Sequence, residues 1–508
     1  MAVLLYIGIL ALLSLAVWTI YGVIYRLYLS PIAKFPGPKL AALTLWYEFY
    51  YNIVLNGQYV FEIKKMHEKY EQLRLPGADE LFQGPIVRIN PWELHIDDLD
   101  YYDELYAGSG KKREKYPWFV AGGGSPGSVF ETIPHDLHRL RRSAINHFFS
   151  NRSITAIEPM IKAKVSQLSD IFHAHMISKK PVNLRVAFSA LTLDIISDYC
   201  YGESFGALKN EKLAMEWYYM LEAVMAKAPL FMHFPWLLKV MSLLPDSIAG
   251  PVLRHHRNSR NKVGRVLRYE DTDSARQDTV FHTIRDSDLP PEEKKLNRLA
   301  DEGNILIGAG SETTAQTLAV LFFYLLENPE MITRLRDEIS GVEGDITWGK
   351  LEKLPFLSGC VTEALRIGSV AAIRLPRTSP TEDLKFKKWT IPAGTPTSMT
   401  NIYIHHSPVV FPSPLKFDPT RWMQSKSDPE HGLEKYFLPF SKGSRACVGM
   451  NLAYAELYLT TALLIKRFDF QLFETTARDV KIHRVNFVTE MAPDSKGVRV
   501  RVLGDREG

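Results

Sequence analysis

The chain has 508 residues, 46% of them hydrophobic and 23% charged, an ordinary globular composition that excludes a disordered or low-complexity protein. A net charge of +4 is small for this length and implies neither nucleic acid nor an acidic polymer as a partner. The cysteines Cys200, Cys360 and Cys447 are too sparse, and odd in number, for a disulfide framework, and point to a reducing compartment.

The run from Ala2 to Ile24 carries no charge and as a helix would extend about 35 Å, enough to span a bilayer's hydrocarbon core. Trp18, Tyr21 and Tyr25 cluster near its end, and Arg26, Lys34 and Lys39 follow, so the positive-inside rule puts the rest of the chain in the cytoplasm. A cleaved signal peptide would carry a basic start, a shorter apolar stretch and a small-residue cleavage pattern, and the run has none of these. Residues 1–25 are therefore expected to be a retained transmembrane anchor. Pro31, Pro36, Gly37 and Pro38 make residues 26–40 a stiff, extended hinge. Beyond it there is no long linker and no repeat at a fixed period, so residues 41–508 are expected to form one large domain.

Ile86-Val87-Arg88-Ile89 and Glu93-Leu94-His95-Ile96 alternate as strands do, with Asn90-Pro91 as the turn between them. Residues 71–83 interrupt the join between His67-Glu68-Lys69-Tyr70 and Gly84-Pro85-Ile86, as a surface loop or as retained intron sequence. The glycines between 122 and 127 make residues 116–127 a mobile loop, of the kind that often carries substrate contacts. Residues 213–244 are rich in Trp, Tyr, Phe, Met and Leu and suit either helices that touch lipid or roof a substrate channel, or ordinary core. The basic run 254–268 reads as an exposed helix, and the pairs His173/His175 and His405/His406 lack the further ligands of a zinc site. Residues 296–327 form the strongest helix, apolar on nearly all faces, which must cross the interior. Its centre, Gly308-Ala309-Gly310-Ser311-Glu312-Thr313-Thr314, puts two glycines, an acid and hydroxyls where packing would prefer Leu or Ala, a departure that points to function. The Thr313 hydroxyl can bond the Ala309 carbonyl four residues back and open a groove, and Glu312 beside it can relay protons.

Farther on, Glu363-Ala364-Leu365-Arg366 places an acid and a base on one face of a helix. Phe417-Asp418-Pro419-Thr420-Arg421-Trp422 comes next, and then Phe440-Ser441-Lys442-Gly443-Ser444-Arg445-Ala446-Cys447-Val448-Gly449. In this last stretch Gly443 and Gly449 permit tight turns around the sulfur, backbone N–H groups aimed at it would stabilise an anion, Phe440 shields it, and Arg445 supplies a fixed positive charge. Cys447 reads as a thiolate ligand for a haem iron.

These residues resemble the F-x-x-G-x-R-x-C-x-G signature of the cytochrome P-450 family. Ala309-Gly310-Ser311-Glu312-Thr313 matches that family's oxygen-activation motif, and Glu363-x-x-Arg366 followed by Arg421 matches its E-x-x-R helix and F-x-P-x-R segment. The resemblance covers essentially the whole chain after the anchor, and is nearest to fungal enzymes of secondary metabolism. It implies a mainly α fold with a minor β-sheet region, the cytochrome P-450 fold, with haem b between the long helix and the cysteine loop. It implies Cys447 as the proximal ligand, and Glu312 and Thr313 as the distal acid and alcohol that deliver protons during oxygen activation. It implies Glu363, Arg366 and Arg421 as a buried triad that fixes the cysteine loop. The family's W-x-x-x-R becomes His138-x-x-x-Arg142 here, which with Arg377 and Arg445 gives the expected propionate contacts, while Phe440 and Gly443 shape the loop itself. The implied reaction inserts one atom of O2 into a lipophilic small molecule, such as a terpenoid or polyketide. Electrons would come from NADPH through a cytochrome P-450 reductase docking near Lys442. Substrate contacts are expected from residues 116–127, Ala309, residues 370–373 and residues 487–491. The anchor would sit in the lipid of the endoplasmic reticulum, with the body facing the cytosol. Rearrangement or dehydration of an already oxygenated substrate, and a non-catalytic haem sensor or carrier, are the alternatives.

Overall fold

A computed structural model describes residues 1–72, 86–241, 243–270, 279–425 and 432–507. Helices carry most of them, and strands are short and gathered in small sheets. The chain divides into two units, one of Met1–Phe119 with Arg374–Thr400, the other of Val120–Ile373 with Asn401–Gly508.

In the first unit the helix Ala2–Ile24 is long and apolar enough to cross a membrane, and its described side chains are almost all exposed. It widens into a π-helical turn, Tyr25–Leu29. There Arg26 donates to the Leu43 carbonyl, and Arg88 Nη1 donates to the Arg26 carbonyl at 2.6 Å. The segment after it is not one extended strut. Residues 31–34 form a turn because Ile32 and Phe35 fold back into the unit and are buried, and only residues 36–38 run extended. Gly37 lies so close to Arg88 that a Cβ there would stand 2.3 Å from the Arg88 carbonyl oxygen. The expected strand pair is present as Ile86–Arg88 antiparallel to Leu94–Ile96. It continues through Thr397–Ser398 and Arg377–Thr378 to Glu114–Lys115, making a five-stranded sheet. Beneath it Arg374 is buried between Glu93 (2.9 Å) and Glu48 (2.7 Å). The interruption at 71–83 lies, from residue 73 on, outside the described residues.

The second unit is built round the helix Leu296–Glu327. It packs along Leu184–Tyr201 so closely that a Cβ on Gly310 would stand 2.8 Å from the Ile196 side chain. Gly310 is therefore a packing residue, whereas Gly308 has no atom within 4 Å of its Cβ position. Apolar side chains including Phe188, Leu318, Phe322 and Phe323 join these helices to Pro355–Gly368 and Met450–Arg467 in one core. Residues 116–127 are more ordered than expected of a mobile loop. Pro117–Val120 is a helical turn, and the glycine-rich part is tied down by backbone N–H donation. Gly127 donates to Asp301 at 2.8 Å, Ser125 to Glu131 at 2.9 Å, and Val129 to Glu302 at 3.1 Å. Residues 213–244 supply the helices Glu211–His233 and Trp236–Met241, of which Trp217, Leu221 and Met232 belong to the core, while Tyr219, Trp236 and, beyond them, Leu243 are exposed.

Candidate active site

The residues of the cysteine loop adopt their path through two left-handed positions, Ser441 at φ 57° and Gly443 at φ 73°. The second is the conformation glycine takes without Cβ strain. Gly449, by contrast, has φ −84° and needs no such freedom, but no atom lies within 4 Å of its Cβ position. The Cys447 N–H donates to the Phe440 carbonyl at 2.9 Å, which closes the loop, and the Phe440 ring packs on Tyr454 with centroids 5.2 Å apart. The Cys447 side chain is exposed although protein surrounds the loop. That surrounding mass pushes its thiol pKa up, while the Gly449 N–H and the Arg142 guanidinium pull the other way. Cys200 and Cys360 are fully buried, and burial makes them poor thiolates.

Two arginines fasten this loop to the chain around the helix His135–Asn146. Arg142 Nη1 donates to the Ala446 carbonyl at 2.8 Å, and Arg445 donates to the carbonyls of Thr132 and, at 2.7 Å, Ile133. His138 is buried on the same helix. Its neighbour Arg141 turns to a different task, holding Glu293 with two bonds of 2.7 and 3.1 Å. Arg377 belongs to the first unit, where it is buried with its guanidinium 5.3 Å from the Tyr106 ring centroid, and burial lowers its pKa.

Glu363 and Arg366 are both fully buried. The guanidinium grips the carboxylate through Nε at 2.8 Å and Nη2 at 2.7 Å, and Arg421 Nε adds a third bond at 3.1 Å. Sequence reasoning missed two further donors to Glu363, the Asp418 N–H at 3.1 Å and the Trp422 indole at 2.8 Å. Trp422 directly follows Arg421 in the chain, but an indole's need for an acceptor is invisible until the fold buries it.

At the centre of the interior helix, the Thr313 hydroxyl donates to the Ala309 carbonyl at 3.0 Å. Ala309 is exposed and Ile305, Gly308 and Thr313 are partly so, in a helix otherwise largely buried. Spacings of three and four place these four on one face, so the helix has an uncovered stripe in the middle of its length. Glu312 is not on that stripe. It is buried and ion-paired with Arg185, at the start of the Leu184–Tyr201 helix, a residue that sequence reasoning did not select. The one available signal was a lone arginine at the head of an apolar run. Burial pushes the Glu312 carboxyl up, and Arg185 opposes it. Of the expected substrate segments, Ala371 is exposed and Phe487 and Met491 partly so, whereas Val370, Ala372 and Ile373 are buried. The 487–491 turn is fixed to the interior helix by Gln316, which donates to the Thr489 carbonyl at 2.8 Å. Among the described residues no group of His, Cys, Asp or Glu is arranged to hold a metal ion by itself.

A mainly helical body, a cysteine in a braced loop and an uncovered stripe on an interior helix define a class that comparison makes specific. Residues 84–495 match the family model for cytochrome P450, and the chain belongs to the cytochrome P450 family of monooxygenases, whose cofactor is a haem-thiolate iron. It is 40% identical over 494 residues, 94% of each chain, to a tryptophan 6-hydroxylase of Fusarium equiseti. It is 41% identical over 475 residues to a conidiogenone synthase of Penicillium rubens, covering 91% of this chain and 92% of the other. An N-acetyltryptophan 6-hydroxylase of Emericella nidulans is 36% identical over 500 residues, 96% of this chain and 95% of its own.

Proposed function

We propose that this protein inserts one atom of O2 into a lipophilic metabolite, using electrons from NADPH, in a fungal secondary-metabolite pathway. Residues 1–25 are its anchor in the endoplasmic reticulum membrane, 26–40 the connection and 41–508 one cytosolic catalytic domain. The observation that carries the reading is the pairing, within one unit, of an uncovered Cys447 side chain with an uncovered stripe at Ile305, Gly308, Ala309 and Thr313. The residues fit haem b: open space adjoins Gly308 and Gly449, a thiol stands at the loop, and the guanidiniums of Arg142 and Arg445 lie beside it. Bound haem supplies the redox chemistry of oxygen activation, made more favourable by a thiolate ligand.

In this reading Cys447 is the metal ligand, and the Gly449 N–H and Arg142 favour its anion against the burial that raises its pKa. Arg142, Arg445 and His138 receive the propionates, and Arg377 joins them on its sequence register. Glu363, with Arg366 and Arg421, keeps the following segment at its place beside the loop. Thr313, whose own proton is committed to the Ala309 carbonyl, keeps lone pairs free to accept a hydrogen bond from the open side, and Glu312 supplies protons to it. Ala309, Ala371, Phe487 and Met491 offer mostly apolar surface, which favours a lipophilic substrate. The hydroxylases acting on tryptophan and N-acetyltryptophan make an indole metabolite worth testing beside terpenoids and polyketides. Electrons arrive through an NADPH-cytochrome P450 reductase on the cysteine side, near Lys442.

The test is a carbon monoxide difference spectrum of the reduced protein, followed by metabolite profiling after gene deletion. A thiolate-type spectrum, and accumulation of a metabolite that the reconstituted enzyme oxidises only with O2 and NADPH, are expected. A histidine-type spectrum refutes the ligand assignment, and turnover independent of O2 and NADPH refutes the reaction.

A further inference from the structure

On the surface of the second unit a cavity of about 300 Å³ opens between the helix Pro355–Gly368, the helix Met450–Arg467 and the turn Leu433–Tyr436. Four aromatic side chains line it. Trp422 and Tyr458 are buried, and Phe437 and Tyr454 are partly so. The rings of Trp422 and Phe437 stand at 64° with centroids 5.2 Å apart, and those of Tyr454 and Tyr458 have centroids 6.1 Å apart. Their places are fixed from behind. The Trp422 indole N–H donates to the buried Glu363 at 2.8 Å, the Tyr458 hydroxyl donates to Ser358 at 3.1 Å, and the Tyr454 ring packs on Phe440 with centroids 5.2 Å apart. With the indole N–H and that hydroxyl proton committed, ring surface is what remains for an occupant, and binding does not have to order it first.

Two carboxylates stand on the same cavity. Glu352 and Glu434 are both exposed, and among the described residues neither is ion-paired. Glu434 accepts one side-chain hydrogen bond, from the Ser425 hydroxyl at 2.8 Å, and Glu352 accepts none. Burial, and then the Glu352 charge, push the Tyr458 pKa up to about 12, which puts that carboxylate near the rings. Unpaired negative charge beside aromatic faces, whose own quadrupole is negative, is complementary to a cation. A bare metal ion is poorly served, since no three His, Cys, Asp or Glu side chains gather there among the described residues. A primary ammonium is strongly hydrated and loses that shell at a cost. An alkylated ammonium carries its charge under an apolar skin of methyl groups, which suits rings and carboxylates together.

We propose that this cavity binds a free small molecule bearing an alkylated ammonium ion, its methyl groups against the rings and its charge beside Glu352 and Glu434. A volume of about 300 Å³ lies at the lower end of small-molecule sites and holds a compact cation whole. A phosphocholine lipid headgroup carries the same cation but brings a phosphate that two carboxylates repel, so the free cation is favoured. The site stands independently of which substrate the haem side oxidises.

The test is isothermal titration calorimetry of the haem-loaded full chain in a maltoside detergent, with choline and dimethylbutanol, its uncharged isostere with carbon in place of nitrogen, as probes. Choline has no lone pair on nitrogen with which to ligate iron, and sodium chloride keeps the ionic strength equal throughout. Choline is expected to bind one to one, and more tightly than dimethylbutanol by about tenfold or more. In the double variant Glu352→Gln/Glu434→Gln, changed only at exposed positions, that preference should fall to about threefold or less. Phe437→Leu, which keeps bulk and removes the ring, should weaken choline severalfold, and phosphocholine should bind more weakly than choline. Each variant is checked for haem loading by its reduced carbon monoxide spectrum. Equal affinity for choline and dimethylbutanol, or a choline affinity unchanged in the double variant, would overturn the site and leave a solvated groove. Phosphocholine binding more tightly than choline would overturn the free cation and assign the cavity to a lipid headgroup.

Discussion

Replacing Glu363 by alanine is the sharpest probe of the buried cluster that Glu363 forms with Arg366 and Arg421. The carboxylate is fully buried and accepts five hydrogen bonds, two from Arg366, one from Arg421, one from the Asp418 N–H and one from Trp422. Alanine leaves the guanidinium of Arg366, itself fully buried, with the His405 carbonyl at 2.6 Å but no counter-charge. It also strips an acceptor from an indole and a backbone N–H. A buried ion pair broken on one side costs roughly 3–5 kcal/mol, and each donor left unsatisfied adds about 1–3 kcal/mol. Against a usual total of about 5–15 kcal/mol, such a loss is a third of the stability or more. Arg421→Ala should cost less, because Arg421 makes a single bond to Glu363 and its other donors reach the carbonyls of Pro412 and Lys416 nearer the surface. The assay is urea unfolding followed by tryptophan fluorescence, with haem content from the reduced carbon monoxide spectrum on the same samples. Glu363→Ala is expected to yield little haem-loaded protein and to lose more stability than Arg421→Ala. A Glu363→Ala protein with full haem content and a loss under about 1 kcal/mol would refute the reasoning.

Thr313→Val keeps the side chain's shape and removes its hydroxyl, so haem loading should persist while NADPH-derived electrons go to peroxide instead of product by about tenfold or more, read as peroxide formed per NADPH. In haem-free protein the Cys447 thiol pKa is raised, so its alkylation by iodoacetamide at pH 7 should be slow and should accelerate above the ordinary thiol range; rapid alkylation at pH 7 would contradict this. His67 and His406 are held neutral, each with a pKa lowered to about 4 by burial. Because these folded values lie below the unfolded ones, the stability they contribute is complete above about pH 6.5 and falls as pH drops toward 4, by about 3 kcal/mol for each histidine. Urea midpoints across that window, with His67→Gln flattening part of the slope, measure it. Gly359→Ala would place a Cβ 2.5 Å from the Pro419 carbonyl oxygen, a backbone atom that cannot swing aside, and should cost about 1–3 kcal/mol in the same unfolding assay.

What the sequence made legible was whatever depends on spacing along the chain. The interior helix could be bounded at 296–327 because its apolar residues cover every face, and Thr313 could be matched to Ala309 because a threonine reaches four residues back. The Glu363–Arg366 pair is the same kind of fact. Contacts between residues far apart in sequence were another matter. Nothing local links Arg185 to Glu312, Gly310 to Ile196 or Gly127 to Asp301, and these pairs decide, respectively, the state of the acid, the closeness of two helices and the order of a glycine-rich segment. That segment was misjudged for a physical reason. Glycine composition reports the freedom of an isolated chain, whereas here bared backbone N–H groups are bound by carboxylates, Glu131 nearby in the chain and Asp301 and Glu302 on the interior helix. The hinge was misjudged likewise, because proline spacing does not register that Ile32 and Phe35 between the prolines are drawn inward.

The way the N-terminal helix ends has a mechanical consequence. Its helix passes without a break into the π turn, where Arg26 grips the Leu43 carbonyl and Arg88 grips Arg26. A helix joined in this manner behaves as a mast stepped into the first unit and not as a rope tied to it, so a tilt imposed on the helix is transmitted to the sheet that Arg88 belongs to. Shortening the chain is then not neutral in where it is cut. Removal of residues 2–24 leaves the socket whole, while a cut a few residues later takes away Arg26 and leaves the buried Arg88 without one of its carbonyl partners.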